Sequence, residues 1–256
     1  MYNDILSIGP FVVHGYGLMI AIGIIAALFV GLKLAKAKGL NTDEVYNLLF
    51  IAVLCGFAVA KVLYCIVEIE TFLEDPLSTL GSGGFVVYGG IIGGTFFCWL
   101  YTRIKKLSFY DYFDIVLPSV AVAQAFGRIG CFLAGCCYGR ETDSFIGITF
   151  HNSDFAPNGV SLIPTQLISS AALFVMAVIL ILHVLKSSHS GSTGALYLII
   201  YSIGRSIIEI FRDDYRGSIG FLSTSQFISI FILLLGIFIY VLSVKGKFDI
   251  VNEDEI

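Results

Sequence analysis

The sequence predicts an all-α, polytopic membrane protein with seven transmembrane helices, the N-terminus outside and the C-terminus in the cytoplasm. Of the 256 residues, 57% are hydrophobic and 13% are charged, whereas a soluble domain has roughly 25% charged residues. Apolar runs long enough to cross a hydrocarbon core about 30 Å thick recur along the chain. The net charge of −4 says little about partners, because the positions of Lys and Arg set membrane orientation.

The apolar runs define the predicted elements in order. The first run follows a short segment without basic residues and is longer than the core of a signal peptide, so we interpret it as a retained span. We predict a single membrane domain over 1–247 and a solvated, disordered tail over 248–256. The seven predicted spans are 11–32, 45–67, 85–102, 113–134, 164–185, 194–211 and 224–244.

The basic residues between the spans are unevenly distributed. Nine lie in the first, third and fifth connections and the C-terminal tail, and three lie on the other side. Since cytoplasmic loops carry the excess of Lys and Arg, this asymmetry predicts the orientation given above. The nine are Lys33, Lys36, Lys38, Arg103, Lys105, Lys106, Lys186, Lys245 and Lys247, and the three are Arg140, Arg212 and Arg216.

The segment 127–140, GRIGCFLAGCCYGR, places Arg128 inside the fourth span. An arginine at bilayer depth is costly and normally faces a protein interior or a wet cavity, where it holds an anion. Small residues around it, Gly127 and Gly139 among them, would let a ligand approach the backbone closely. The alternative is structural, with the guanidinium pairing with Glu209 or with helix-end carbonyls and locking helices together.

A second group of intramembrane charges lies in the sixth span. Arg205 and Glu209 are i,i+4 neighbours, so a local ion pair is expected, and Arg212 extends the same face outward. A planar guanidinium suits phosphate binding through two hydrogen bonds. The two arginine motifs therefore predict a pocket for an anionic, lipid-soluble ligand. The connection 135–163 is longer than ordinary loops, which favours a functional role for it.

Tyr88, Gly89 and Gly90 open the third span. Such small residues let helices pack closely in lipid, or they expose N–H groups that bind phosphate at a helix end. Tyr88 would offer a hydroxyl for acid–base chemistry, or belong to an interfacial aromatic belt. Tyr16 and Gln166, near the starts of the first and fifth spans, are weaker candidates that an interface anchor and a helix cap would also explain.

Three of the six cysteines cluster near Arg128: Cys131, Cys136 and Cys137. Because no His or Cys pair stands at zinc-ligand spacing, we predict no metal site. Three roles stay open for the cluster. It is structural, or it holds a disulfide from Cys131 to one of the adjacent pair, or it provides a thiolate made reactive by the arginine. Cys55, Cys65 and Cys98 lie mid-span and behave as small hydrophobes.

These motifs, in this order, resemble the bacterial prolipoprotein diacylglyceryl transferase family over nearly the whole chain. The signature around Arg128 is specific, and the others gain weight from their spacing and from the matching seven-span topology. The shared motifs are His14-Gly-Tyr16-Gly-Leu-Met, Tyr88-Gly-Gly-Ile-Ile-Gly, Gly127-Arg-Ile-Gly with Tyr138-Gly139, Pro164-Thr-Gln, and Arg205 with Glu209 and Arg212.

The resemblance implies transfer of a diacylglyceryl group from phosphatidylglycerol to the lipobox cysteine of a prolipoprotein, releasing glycerol phosphate. The active site would face outward in a bacterial plasma membrane. The resemblance also implies that Arg128 and Arg205 hold the phosphate and headgroup, while Tyr16 and Gly139 line the site. The partners are then phosphatidylglycerol, the prolipoprotein signal peptide and membrane lipids. We predict no cofactor and no nucleic-acid partner.

The chain departs from the family at several polar positions. Where the family usually has a histidine, proposed as the base, this chain has Tyr88, and a phenol that titrates near pH ~10 is a poor base at neutrality unless a cation assists. Two alternatives follow: an enzyme with a different acceptor, with a cysteine as covalent relay, or a non-catalytic lipid-binding or transport protein. The other departures are Cys131, Ala134, Cys136, Ile168 and Ser169.

Overall fold

The structure is a computed structural model, and it describes residues 4–8, 11–214 and 218–249. Within these ranges the chain forms nine helices and three two-stranded antiparallel sheets. The helices are α1 Gly15–Ala37, α2 Thr42–Val67, α3 Ile69–Glu74, α4 Pro76–Gly81, α5 Val87–Ile104, α6 Phe109–Ala134, α7 Thr165–Lys186, α8 Ser192–Ile210 and α9 Thr224–Val244. The sheets pair β1 Asp4–Ile8 with β2 Phe11–His14, β3 Ile148–Thr149 with β4 Ser161–Leu162, and β5 Ser218–Ile219 with β6 Leu222–Ser223.

The all-α class is confirmed, and six of the described helices are long and apolar enough to cross a membrane: α1, α2, α6, α7, α8 and α9. The third predicted span, α5, is not among the six. It has 18 residues, four of them glycines, and these dilute its apolar character. The first predicted span begins too early, because residues 11–14 form β2 instead of helix. Of the predicted tail, 250–256 lie outside the described residues, as does Arg216.

The chain divides into two compact units, Met1–Lys38 with Phe113–Ile256 and Gly39–Tyr112. The first unit contains α1, most of α6 and α7–α9. Its core lies between α6, α7 and α8 and is formed by Ala121, Val122, Ala125, Leu173, Met176, Ala177, Leu180 and Tyr197. Close packing of such side chains, with few voids, is what holds helices together inside lipid.

In the second unit, glycines set the contact between α2 and α5. A Cβ added to Gly89 would lie 2.8 Å from the Val59 carbonyl oxygen, and one added to Gly93 would lie 2.5 Å from the Val59 Cβ. Only glycine permits this close approach. Lys61, an intramembrane charge with no partner evident in sequence, donates to the Ser82 carbonyl at 2.7 Å and to the Gly84 carbonyl at 3.1 Å.

The helices of the first unit begin and end at two opposite ends of that unit, where the connecting segments lie. At one, the Asp114 end, α7 and α9 terminate and α8 begins. Asp114 is 6% exposed, and its two carboxylate oxygens accept the N–H groups of Gly191 at 2.8 Å and Gly194 at 2.7 Å. A carboxylate suits this position, since the first N–H groups of a helix lack partners and its dipole is positive there. At the other, the Arg128 end, α6 and α8 terminate and α7 and α9 begin.

Candidate functional site

The last turn of α6 is closed by a glycine cap. Gly135 has a left-handed backbone with φ +76°, and a Cβ there would collide with the Ser153 side chain. The Gly135 N–H donates to the Phe132 carbonyl at 3.1 Å and the Cys136 N–H to the Cys131 carbonyl at 3.1 Å. This pair of bonds is the Schellman motif, which ends a helix and turns the chain back over its last residues.

The loop after α6 is held between the ends of two other helices. The Gly139 N–H donates to the Ile163 carbonyl at 3.0 Å, and the Arg140 N–H donates to the Phe211 carbonyl at 2.9 Å. A Cβ on Gly139 would lie 2.6 Å from the Ile163 carbonyl oxygen, so glycine is required here by packing. Further along, the loop has its own core of Phe150, Ala156 and Leu162. The long connection is therefore a folded cover over the Arg128 end.

Arg205 and Glu209 form the ion pair that their spacing predicts. The Arg205 Nη1 lies 2.6 Å from the Glu209 Oε2, with both side chains about nine-tenths buried. Arg205 also donates from Nη2 to the Ser225 hydroxyl at 2.8 Å. Arg212 binds Asp214 through two hydrogen bonds, at 2.8 and 2.6 Å, and lies 3.9 Å from Glu209. Both arginines thus already have carboxylate partners.

Arg128 differs from the other two arginines. Its side chain is partly buried, and across the described ranges no ion pair or hydrogen bond joins it to another residue. Glu209 pairs with Arg205 instead, which removes the helix-locking pair considered above. The positive charges of Arg128 and Arg212 both act on Arg205. A Cβ added to Gly127 would meet no atom within 4 Å, so the helix surface at the residue before Arg128 is open.

Tyr16 and Gln166 lie beside the cysteines of this end. Gly130 in α6 packs on Tyr16, where a Cβ would lie 3.1 Å from the ring, and Tyr16 interacts electrostatically with Arg128. Gln166 is 1% exposed and donates from Nε2 to the Cys136 carbonyl at 2.7 Å. Its Oε1 is buried and accepts no hydrogen bond from the described residues, which leaves it available to a donor.

The cysteines at the end of α6 and the start of the following loop lie together. The sulfurs of Cys131, Cys136 and Cys137 are within 4.8 Å of one another, and none forms a disulfide in this structure. The pKa of the Cys136 thiol lies above its ordinary value because hydrogen bonding to Cys131, then to Cys137, and burial all favour the neutral form. This direction disfavours a free thiolate at Cys136.

The remaining predicted residues, Tyr88, Gly89 and Gly90, belong to the second unit. Tyr88 is 40% exposed at the start of α5. The Gly89 N–H donates to the Val86 carbonyl at 3.0 Å, and both glycines face α2, with Gly90 3.2 Å from a Cβ built on Gly56. These contacts favour the packing role of the glycines over a role in phosphate binding.

Sequence reasoning missed two partners of the arginines, Asp214 and Ser225. Asp214 follows Arg212 by two residues, a spacing that carries no helical signal once α8 has ended. Ser225 lies in the first turn of α9, whose start is marked by a capping box between Ser223 and Gln226. That Ser-x-x-Gln pattern is a readable start signal, and it would have placed Ser225 at the level of the arginines.

A set of long apolar helices that gathers buried guanidiniums and an unpaired acceptor at one end defines a polytopic membrane protein with a candidate anion site. The chain belongs to the prolipoprotein diacylglyceryl transferase family, whose model matches residues 3–242. It is 46% identical over 230 residues to the phosphatidylglycerol–prolipoprotein diacylglyceryl transferase of Clostridium tetani, with 89% of this chain and 92% of the relative covered. It is 45% identical to phosphatidylglycerol–prolipoprotein diacylglyceryl transferase 2 of Clostridium perfringens, with 92% of this chain and 93% of the relative covered. It is 32% identical to the phosphatidylglycerol–prolipoprotein diacylglyceryl transferase of Clostridioides difficile, with 93% of this chain and 94% of the relative covered.

Proposed function

We propose that this protein transfers a diacylglyceryl group from phosphatidylglycerol to the lipobox cysteine of a prolipoprotein. The observation that carries the proposal is Arg128, a partly buried cation with no protein partner among the described residues. The two other arginines of this end, Arg205 and Arg212, do have carboxylate partners. An unpaired guanidinium inside a membrane protein calls for an anion. The phosphodiester of phosphatidylglycerol is such an anion, and the family membership identifies the reaction.

The proposed chemistry assigns a task to each charge. The acceptor thiol loses its proton, its sulfur bonds to the terminal carbon of the diacylglyceryl group, and the bond from that carbon to the phosphate oxygen breaks. The electron pair leaves with glycerol phosphate. Arg128, with Arg205 behind it, stabilises the charge that grows on the phosphate in a site of low dielectric. Glu209 and Ser225 hold Arg205 in place, and Arg212 lies 3.9 Å from the same Glu209 carboxylate.

Gln166 and Tyr16 then serve the glycerol headgroup and its surroundings. The unpaired Gln166 Oε1 is an acceptor for a headgroup hydroxyl, since a buried carbonyl oxygen without a partner is costly. Tyr16, 43% exposed, and Gly127 line the approach to Arg128. Tyr88 is the candidate base of the second unit.

We also propose that α5 is a seventh span, with the Arg128 end toward the outer face of a bacterial plasma membrane. At about 1.5 Å per residue, 18 residues span roughly 27 Å, close to the hydrocarbon thickness. A seventh crossing puts the nine basic residues counted above on the cytoplasmic side. Accessibility labelling of single cysteines at Lys36 and Lys105, against His151 and Asp214, tests it. Labelling of His151 from the cytoplasm would reverse the orientation.

The function is tested in proteoliposomes with phosphatidylglycerol labelled in both its headgroup and its acyl chains. With a lipobox peptide present, we expect labelled glycerol phosphate to be released and the peptide to gain the acyl label. A peptide with serine in place of the lipobox cysteine is the matched control and should gain none. Release without peptide labelling would identify a different acceptor. No release with either peptide would leave a lipid-binding or transport protein.

A further inference from the structure

Cys131, Cys136 and Cys137, here called the cysteine triad, form a compact set of thiols. Their three sulfurs lie within 4.8 Å of one another, although C-x4-C-C matches no common zinc-ligand spacing. Cys137 is buried, and the other two are partly buried. Three thiols at this separation, with no disulfide between them, are a ligand set for a soft metal ion.

The helix cap explains how the triad assembles. A contact between the side chains at C3 and C″ frequently accompanies a Schellman motif, and the two hydrogen bonds at the end of α6 place Cys131 at C3 and Cys136 at C″. Cys137 follows in a left-handed conformation, φ 61°, which non-glycine residues adopt only where the surroundings impose it.

Two buried side chains of α7 fix the same backbone. Thr165 donates from its hydroxyl to the Cys137 carbonyl at 2.8 Å, and Gln166 donates to the Cys136 carbonyl at 2.7 Å. Both residues are 1% exposed. The triad is therefore held by structure outside itself, as metal ligands are when they are oriented by a surrounding shell of hydrogen bonds.

We propose that the cysteine triad binds a thiophilic divalent metal ion, such as Zn²⁺, through three thiolates. Zn–S bonds of about 2.3 Å put the sulfurs of a tetrahedral site roughly 3.8 Å apart, so sulfurs within 4.8 Å need shifts of about 1 Å or less. Binding releases the three thiol protons to solvent. Three thiolates and Zn²⁺ leave one negative charge, which the neighbouring Arg128 and Arg212 offset; both arginines interact electrostatically with triad members.

Three protein ligands leave the fourth position open, and a thiol that binds there is deprotonated by the metal. This second step rests on the proposed transferase function: the open position takes the acceptor thiol. The acceptor proton goes to solvent, and the bound sulfur is the nucleophile toward the lipid.

The metal site is tested on the full-length protein, purified with reductant and stripped with a chelator. We expect it to bind about one Zn²⁺, and Co²⁺ in its place should give the intense thiolate-to-cobalt absorption. Cys131→Ser, Cys136→Ser and Cys137→Ser should each weaken Zn²⁺ binding by 10-fold or more. Cys98→Ser, at a partly buried cysteine of α5, is the matched control and should bind normally. Circular dichroism checks that each variant is folded.

The metal site, the acceptor step and the proposed function fail through different results. A folded, fully reduced protein that binds no Zn²⁺ overturns the site, as does equal loss of binding in Cys98→Ser. A disulfide between Cys131 and one neighbour that persists under mild reductant also overturns it. If the protein binds Zn²⁺ but transfers equally well after stripping, the site stands and the acceptor step fails. If neither stripped nor loaded protein releases glycerol phosphate, the proposed function itself fails.

Discussion

The two ends of the first unit handle buried charge in opposite ways. At the Asp114 end, a single carboxylate accepts two N–H groups of α8, and His183 and Thr193 bind each other at 2.9 Å. At the Arg128 end, the described residues provide three guanidiniums and two carboxylates, and one buried amide oxygen lacks a donor. One end is complete without a ligand and the other is not.

This difference separates stability from function. A polar group that is fully hydrogen-bonded stabilises the fold, and its loss leaves the partners unsatisfied. A charge that is left without a partner lowers stability, and it persists where a ligand supplies the missing interaction. The Arg128 end therefore should govern turnover, whereas the Asp114 end should govern resistance to unfolding. Substitutions at each end test this division.

Replacing Arg128 should have the largest effect on activity. Arg128→Gln removes the unpaired cation, so we expect kcat/KM for phosphatidylglycerol to fall by about 10³-fold or more. Arg128→Lys keeps the charge but loses the planar fork, and it should also lose most activity. Glycerol phosphate release in proteoliposomes measures both.

The matched control is Arg140→Gln, an exposed arginine twelve residues later whose backbone bonds do not depend on its side chain. It should retain activity within a few-fold. Melting temperatures of these Arg128 and Arg140 variants should not fall below that of the wild type. A fully active Arg128→Lys would remove the need for a planar fork, and a fully active Arg128→Gln would exclude the phosphate role.

The hydroxyl of Tyr88 should matter next. If it acts as base or hydrogen-bond donor, Tyr88→Phe should lower kcat by roughly 10²–10⁴-fold. Tyr88→His should retain or raise activity near neutral pH, because a histidine titrates near pH ~6.5. Tyr46→Phe, at another half-exposed tyrosine of the second unit, serves as control. Normal turnover by Tyr88→Phe would show that the Tyr88 hydroxyl takes no part in the reaction and that another group activates the acceptor thiol.

Asp114 should affect stability and leave chemistry unchanged. Asp114→Ala leaves the first N–H groups of α8 without an acceptor, so we expect a loss of about 1–3 kcal/mol in the free energy of unfolding. Activity per folded molecule should match the wild type. Denaturant titration in mixed micelles measures the loss, with the exposed Asp143→Ala as control. An unchanged midpoint for Asp114→Ala would refute its capping role.

The smallest effect is expected at Asp249. The pKa of this carboxyl is lowered because it accepts the Ser190 N–H at 2.9 Å and lies 3.3 Å from the His189 ring. A lowered folded-state pKa stabilises the protein above about pH 4 and loses that contribution as the pH falls through the folded value. Asp249→Asn should therefore cost roughly 0.5 kcal/mol or less at pH 7 and nothing at low pH. A loss that persists at pH 2 would contradict this assignment.

The sequence predicted the parts of the structure that depend on local pattern. The bounds of α2, α6, α7, α8 and α9 lie within four residues of the predicted spans, since long apolar runs are unambiguous. The Arg205–Glu209 pair was also predictable, because i,i+4 neighbours on a helix meet without help from the rest of the fold.

Contacts between distant segments were not predictable in this way. The partners of Lys61 are carbonyl groups about 20 residues away, and nothing in their residue types announces them. The cysteine triad depends on Gly135 adopting a left-handed cap, which converts a five-residue spacing into contact. The structure shows that Arg128 lacks a partner because Glu209 pairs with Arg205 and Asp214 pairs with Arg212.

Equilibrium binding of phosphatidylglycerol, measured without turnover, shows whether Arg128 binds the lipid phosphate. Wild type, Arg128→Gln, Arg140→Gln and Asp114→Ala would be compared in nanodiscs of a neutral lipid, with fluorescent phosphatidylglycerol as the ligand. Loss of a charge-assisted phosphate contact of about 1.5–3 kcal/mol predicts binding roughly 10–150-fold weaker in Arg128→Gln alone. Normal binding by Arg128→Gln, or equal weakening in Asp114→Ala, would contradict the division between the two ends.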